Sequence, residues 1–192
     1  MKINEIFYSL QGEGHFTGRP AVFVRFAGCN LRCPFCDTDF SSFREMNVAE
    51  VLKALSAYPS RFVILTGGEP SLQLTADFVM ALKEAGYFIA IETNGTHPLP
   101  TGIDWITLSP KSAFVKHAEV VLEHCNELKL VYNGKMNPAD FLSLKAENYY
   151  LQPCDTGNEM ANAVILQSTI DYCKQHPEWS LSLQMHKVVG IK

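Results

Sequence analysis

Short apolar runs alternating with helical patterns constrain this chain more than any other feature. The runs are residues 3–9, 21–26, 62–66, 87–92, 105–109, 128–132, 149–152 and 181–185. Most are rich in β-branched and aromatic residues, as strands are. Helix signals lie between them. Asn47-Val48-Ala49-Glu50 reads as a capping box that opens a helix reaching about Tyr58. Residues 74–85 read as a second helix, closed by Gly86. Asn137-Pro138 opens a third, with proline at the first helical position. A fourth runs over about 158–175 and stops before Pro177. This alternation predicts an α/β protein with a mostly parallel sheet or partial barrel.

In such folds, function gathers at the carboxyl ends of the strands. Here those ends run into Thr66-Gly67-Gly68-Glu69-Pro70, Glu92-Thr93-Asn94-Gly95, Ser109-Pro110-Lys111, Gln152-Pro153 and Met185-His186. Any one of these could be an ordinary turn, since turns favour the same residues. Their repetition at equivalent places is what the mouth of a barrel would show. The 192 residues are 47% hydrophobic, which predicts one domain, 1–192, with a full core. The net charge of −4 and the absence of a basic face argue against a nucleic-acid partner. Apolar stretches such as Phe62-Val63-Ile64-Leu65 are strand-sized and too short to cross a bilayer. Nothing at the N-terminus resembles a secretory signal. The expectation is a soluble, cytoplasmic protein with no membrane partner.

Cys29, Cys33 and Cys36 have the spacing C-x3-C-x2-C. Soft thiolates suit iron–sulfur clusters, zinc and copper(I). Gly28 and Pro34 break regular structure and put the thiols on an irregular loop. A loop can wrap a cube of iron and sulfur, whereas a straight helix would turn the third cysteine away from the first two. Ferredoxin cubes take four cysteines. Three leave one iron open to a small molecule, which points to chemistry at the cluster and not to electron relay alone. The alternative is a zinc knuckle, which needs a fourth ligand. His15 is the nearby upstream candidate. Cys125, Cys154 and Cys173 lack ligand spacing and read as buried thiols.

The cysteine loop together with Gly67-Gly68-Glu69-Pro70 resembles the radical S-adenosylmethionine (radical SAM) superfamily. There the open iron of a 4Fe-4S cluster is chelated by S-adenosylmethionine. Further motifs are Tyr8-Ser9-Leu10-Gln11-Gly12-Glu13-Gly14, Phe23-Val24-Arg25-Phe26-Ala27-Gly28-Cys29, Cys36-Asp37-Thr38-Asp39 and Glu127-Leu128-Lys129. In this order they are similar to the 7-carboxy-7-deazaguanine synthase family, from Glu5 to His186. Some relatives carry a long insertion between the first two cysteines, and this chain has the compact form. Activating enzymes that take hydrogen from a protein glycine share C-x3-C-x2-C, but the Gln11-Gly12-Glu13-Gly14 loop speaks against them.

The resemblance implies an incomplete, trimmed parallel β/α barrel, a homodimer and a flavodoxin-type electron donor. It implies a radical ring contraction of 6-carboxy-5,6,7,8-tetrahydropterin to 7-carboxy-7-deazaguanine with loss of ammonia. Cys29, Cys33 and Cys36 would hold the 4Fe-4S cluster, and Thr38 a Mg2+ that bridges to the substrate. Leu10, Gln11, Gly12, Glu13, Arg25, Thr66, His186 and Lys192 would face the pterin. Gly68, Glu69, Ser109, Pro110, Lys111, Gln152, Pro153, Cys154 and Asp155 would hold S-adenosylmethionine. The residue types suit these tasks. A carboxylate accepts from the N–H edge of a 2-amino-4-oxo ring, and glutamine both donates and accepts. Arg25 stands in an apolar strand, where it either faces solvent or needs an anion such as the substrate carboxylate. The apolar tail 187–192 reads as docked beside His186.

Overall fold

Residues alternate between two faces along the central strands. In Phe62–Gly67, Val63 and Leu65 join one buried cluster, while Phe62 and Ile64 join another. Val22 and Val24 split from Ala21 and Phe23 in the same way within Pro20–Phe26. This is the period of two that a strand buried on both faces requires. The computed structural model describes residues 1–39 and 41–192. Its strands are β1 (Lys2–Leu10), β2 (Pro20–Phe26), β3 (Arg44–Glu45), β4 (Phe62–Gly67), β5 (Phe88–Thr93), β6 (Trp105–Leu108), β7 (His124–Tyr132), β8 (Lys145–Pro153) and β9 (Trp179–Leu181). They form one sheet in the order β3-β1-β2-β4-β5-β6-β7-β8-β9. Every pairing from β2 to β9 is parallel. The pairings β1–β2 and β1–β3 are antiparallel.

Helices α1 (Val48–Leu55) and α2 (Ala76–Glu84) cover one face of the sheet through Val51, Leu55, Phe78, Val79 and Leu82. Each such large side chain, fully buried, contributes roughly 1.5–3 kcal/mol. Asn47 and Glu50 form the expected capping box of α1. Helix α3 (Glu159–Gln175) packs on β8 and β9. The opposite face of the sheet is closed low down by an aromatic plug. Phe16, from the β1–β2 loop, meets Phe62 and Trp105 edge-on at 4.9 and 4.7 Å.

The two ends of the sheet meet through loops and not through a strand ladder. Gly14 N donates to Ser182 Oγ at 2.9 Å, and Met185 N donates to Gly12 O at 2.9 Å. The expected incomplete parallel barrel is therefore present, with its gap spanned by side-chain and main-chain hydrogen bonds.

Three expectations need correction. The last strand ends at Leu181, and Met185 begins a short helix, α4 (Met185–Val189). Ser182 N still donates to Leu151 O at 2.8 Å, and beyond it the chain turns to the β1–β2 loop through Met185. The segment opened by Asn137-Pro138 is a single 3-10 turn, Pro138–Phe141, since β8 follows at once. Strands β7 and β8 are longer than their apolar cores suggest. They pair from His124↔Lys145 to Tyr132↔Pro153, carrying polar residues such as Glu127 and Asn148 in register.

Candidate active site

The cysteine loop starts where β2 ends and is fastened to the turn after β4. Gly68 N donates to Phe26 O and Glu69 N to Gly28 O, each at 2.9 Å. Gln73 Nε2 donates to Ala27 O at 2.7 Å. A Cβ at Gly68 would stand 1.9 Å from Gly28 O, so only glycine permits this approach. Further along, Asn30 donates to Thr96 Oγ1 at 2.8 Å and accepts from Asn94 Nδ2 at 3.1 Å. The loop is thus tied to the ends of β4 and β5 before its last two cysteines. All three thiols line one cavity of about 660 Å³. Burial raises the pKa of Cys29 and Cys33. Metal ligation requires thiolates, and a bound cation supplies the stabilisation that burial removes. Among the described residues no three His, Cys, Asp or Glu side chains converge tightly enough for a single ion. The three thiols share this cavity wall. His15 stacks on Trp105 with centroids 4.6 Å apart, in the loop after β1 and not in the cysteine loop. The zinc reading therefore loses its fourth ligand.

Strand-end turns build the walls. Thr66, Gly68, Glu69, Ser109, Lys111 and the run from Gln152 to Asp155 all reach the cavity. Pro110 is buried and does not line it. The Glu69 carboxylate is 1% exposed and already engaged. It accepts from Thr93 Oγ1 and Asn94 N, both at 2.7 Å, and from Ser71 N at 3.0 Å. Lys111 is no surface lysine. Its Nζ donates to Ser109 O at 2.7 Å, and burial pulls its pKa down to about 8 against the attraction of the Cys33 thiol.

The β1–β2 loop makes the floor. Since β1 runs antiparallel, this loop leaves the end of the sheet opposite the cysteine loop and folds back inside the curl. Gln11 Nε2 donates to Glu92 Oε1 at 3.0 Å. Lys129 Nζ, on β7, donates to Glu13 Oε2 and to Glu92 Oε2, both at 2.6 Å. Gln184 Nε2 donates to the other oxygen of Glu13 at 3.0 Å. Burial opposes ionisation of Glu13, but the Lys129 charge outweighs it and holds the carboxyl at about 2. Beneath lies Glu127, whose Oε2 accepts from His15 N at 3.1 Å. Its carboxyl is pushed up to about 7 by burial, only partly offset by Lys129. A Cβ at Gly14, where φ is +63°, would meet Glu127 Oε1 at 1.9 Å. This fixes glycine at that position.

One side of the cavity is charged and belongs to residues distant in sequence. Arg25 Nε pairs with Glu5 Oε1 at 2.9 Å, so the arginine is neither free in solvent nor without an anion. Glu5 also pairs with Lys192, whose main-chain oxygen accepts from Ser9 Oγ at 2.6 Å. The end of the tail is thus held by polar contacts, whereas its apolar Val188 and Val189 stay 71% and 55% exposed, so the apolar docking expected of it is absent. His186 comes from α4 and lies so near Gly12 that a Cβ there would be 2.3 Å from Nδ1. Thr38 lines the cavity beside Asp37 and Asp39. Lys187 Nζ bridges Asp37 and Asp155 at 2.8 Å each, joining the cysteine loop to the β8 turn.

Among the expected site residues, only Pro110 stays off the cavity wall. Lys129, Gln184 and Lys187 were not expected there, and Glu92 only as part of a strand-end turn at the barrel mouth. One signal was present: Glu127 and Lys129 alternate with Leu128 and Leu130, which puts two charges on one face of an otherwise apolar strand.

The sequence pattern of the Radical SAM superfamily matches residues 23–142. The 7-carboxy-7-deazaguanine synthase of Bacteroides thetaiotaomicron is 47% identical over 191 residues, covering 100% of this chain and 98% of that one. The enzyme of that name from Haemophilus influenzae is 41% identical, over 99% of this chain and 93% of its own. The crystal structure of QueE from Escherichia coli superposes with a TM-score of 0.76 at 28% identity, covering 96% of this chain and 94% of that one. Identity at this level and coverage, with three thiols and a Gly-Gly-Glu-Pro turn on one cavity, place this chain in the radical SAM superfamily and, within it, in the family of the 7-carboxy-7-deazaguanine synthases.

Proposed function

We propose that the chain converts 6-carboxy-5,6,7,8-tetrahydropterin to 7-carboxy-7-deazaguanine with loss of ammonia, as a step towards queuosine or a related 7-deazapurine. The observation that carries this is the meeting of the cysteine loop, the Gly67-Gly68-Glu69-Pro70 turn and an acid–amide floor on one cavity. Membership of the superfamily implies a 4Fe-4S cluster and S-adenosylmethionine. When bound, this pair supplies a reductively generated radical that takes a hydrogen atom from the substrate.

The chain's own residues do the rest. Cys29, Cys33 and Cys36 would hold the cluster, three thiolates where ferredoxin cubes take four. The Glu69 carboxylate is committed to Ser71, Thr93 and Asn94, so the turn backbone would be what meets the methionine ammonium. Ser109, Lys111 and the stretch from Gln152 to Asp155 line the cofactor side, with Cys154 contributing main chain. Leu10, Gln11, Gly12 and Glu13 receive the pyrimidine edge of the pterin. Arg25, Thr66, His186 and Lys192 surround its remainder. Thr38 would offer an oxygen to a Mg2+, an ion that takes few protein ligands. The reading includes one domain over 1–192, a homodimer, a flavodoxin-type reductant and a cytoplasmic setting. No described helix is long and apolar enough to cross a membrane.

The test is anaerobic reconstitution with iron and sulfide, then assay with dithionite, S-adenosylmethionine and the carboxytetrahydropterin, read by product mass. The deazaguanine product is expected from the wild type and from Cys173→Ala. Cys33→Ala is expected to lack both the cluster and deoxyadenosine. Full iron content in Cys33→Ala, or deoxyadenosine without a deazaguanine from the wild type, would reject the reading.

A further inference from the structure

Lys129 is 4% exposed and lies at the centre of the floor. Its Nζ is 2.6 Å from one carboxylate oxygen of Glu13 and 2.6 Å from one of Glu92. These acids come from different elements, the β1–β2 loop and β5, and a single cation on β7 joins them. Each acid's second oxygen is taken by an amide, Gln184 on Glu13 and Gln11 on Glu92. Both carboxylates are thus fixed at both oxygens, with their planes set by neighbours and not by solvent.

We propose that Lys129 is a positioning residue that fixes the orientation and charge of Glu13 and Glu92 at the floor of the cavity for the bound pterin. The proposal rests on the substrate reading above for its ligand, and on the geometry alone for the carboxylates. Removing the cation would leave two carboxylates close together in a water-poor site. Like charges so placed do not both stay ionised, and one takes up a proton. A protonated carboxyl turns an acceptor into a donor and offers the wrong face to an N–H edge. The other charged or titratable groups facing this centre are Glu127 on the same strand, Lys111 after β6 and His186 from α4. Lys111 donates to Ser109, and Glu127 accepts from His15 N on the far side of the floor. Neither replaces the lost bridge.

A merely structural lysine would change stability and leave the pH dependence of ligand binding alone. Two measurements separate the roles. The first is a titration of 13C-labelled glutamate carboxyls by NMR in the cluster-free full chain. The second is the dissociation constant of 6-carboxy-5,6,7,8-tetrahydropterin for the reconstituted, S-adenosylmethionine-bound enzyme, taken from about pH 6 to about pH 9. In the wild type the Glu13 carboxyl stays ionised across that window, while Glu127, raised to about 7 and absent from the cavity wall, titrates as a background that leaves affinity flat to within about twofold. In Lys129→Met a second carboxyl besides Glu127 titrates inside the window, and affinity is weaker by about tenfold at its acid end than at its alkaline end. Lys129→Arg keeps the cation and the flat profile. If Lys129→Met does not fold, Lys129→Met/Glu92→Gln removes one charge of each sign and is expected to show Glu13 titrating in the window. A flat profile with no new titrating carboxyl, in whichever of these two variants folds, overturns the proposal. If the wild type binds no pterin, the substrate reading fails, while the carboxyl titration still decides the role of Lys129.

Discussion

Glu127 and Glu13 are carboxyls beside the same lysine, and their environments drive them apart. Glu127 is 2% exposed and does not hydrogen-bond Lys129. Burial dominates and lifts it to about 7. Glu13 touches Lys129 directly and falls to about 2. The two act oppositely on stability. Between the ordinary value of 4.5 and about 7, native Glu127 keeps a proton that the unfolded chain has lost. Stability therefore falls as pH rises through that window. Glu13 contributes stability that is present above 4.5 and is lost as pH falls towards 2. Glu127→Gln keeps the neutral shape and removes the first effect. Its unfolding free energy relative to wild type should rise by about 2–3 kcal/mol from about pH 4.5 to about pH 8. Denaturant titrations at several pH values read this, and a pH-independent difference would refute it. The residue scale also marks the limit of sequence reading. Cys29, Cys33 and Cys36 are visible because their spacing is local. The set of Glu13, Glu92 and Lys129 is not, since three elements far apart in the chain must fold before one cation can bridge two acids.

At the scale of elements, β4, β5 and α1 were legible because each carries its own local signal: apolar runs for the strands, a capping box for the helix. The C-terminal helix was not. Its residues are as β-prone as a strand, with Val188 and Val189 adjacent, and its direction is set by Met185 N bonding to Gly12 O. Gly190, with φ at +68°, closes it, and Ile191 N returns to His186 O at 3.0 Å. This element carries three separate contacts to the site: Gln184 to Glu13, His186 against Gly12, and Lys187 across Asp37 and Asp155. The last of these is a clasp between the cysteine loop and the β8 turn. Its partners are well exposed, so each pair is worth only about 0–1 kcal/mol. Lys187→Met is therefore expected to leave global stability nearly unchanged while speeding amide hydrogen exchange in residues 33–39 of the cluster-free chain. Exchange in that segment equal to wild type would show that the clasp does not order the loop.

The whole molecule divides into a packed outer shell and an open mouth, and five of its six cysteines sort along that division, Cys154 being buried yet on the cavity wall. The alternation of strands and helices made the shell predictable, because both faces of a parallel sheet must be covered. The way the sheet closes was not predictable from periodicity. Closure depends on isolated polar contacts such as Gly14 N to Ser182 Oγ, which leave no repeating pattern in the sequence. Cys125 is 4% exposed under Leu108, Leu128 and Trp179, and burial together with the charge of Glu127 pushes its thiol up to about 12. Cys154 is buried and Cys173 half-buried, the latter against the same cluster. Cys29 and Cys33 are half-buried at the mouth, and Cys36 is exposed there. Alkylation requires both the thiolate and access. In the cluster-free native chain at about pH 8, iodoacetamide should modify Cys36 first and spare Cys125 until the protein is unfolded. After reconstitution with iron and sulfide, Cys29, Cys33 and Cys36 should all be protected together, because ligation occupies the three sulfurs at once. Peptide mass mapping reads each site separately and needs no turnover. Modification of Cys125 at the rate of Cys36 would contradict the division into shell and mouth. Continued labelling of any one loop cysteine after reconstitution would remove that residue from the ligand set.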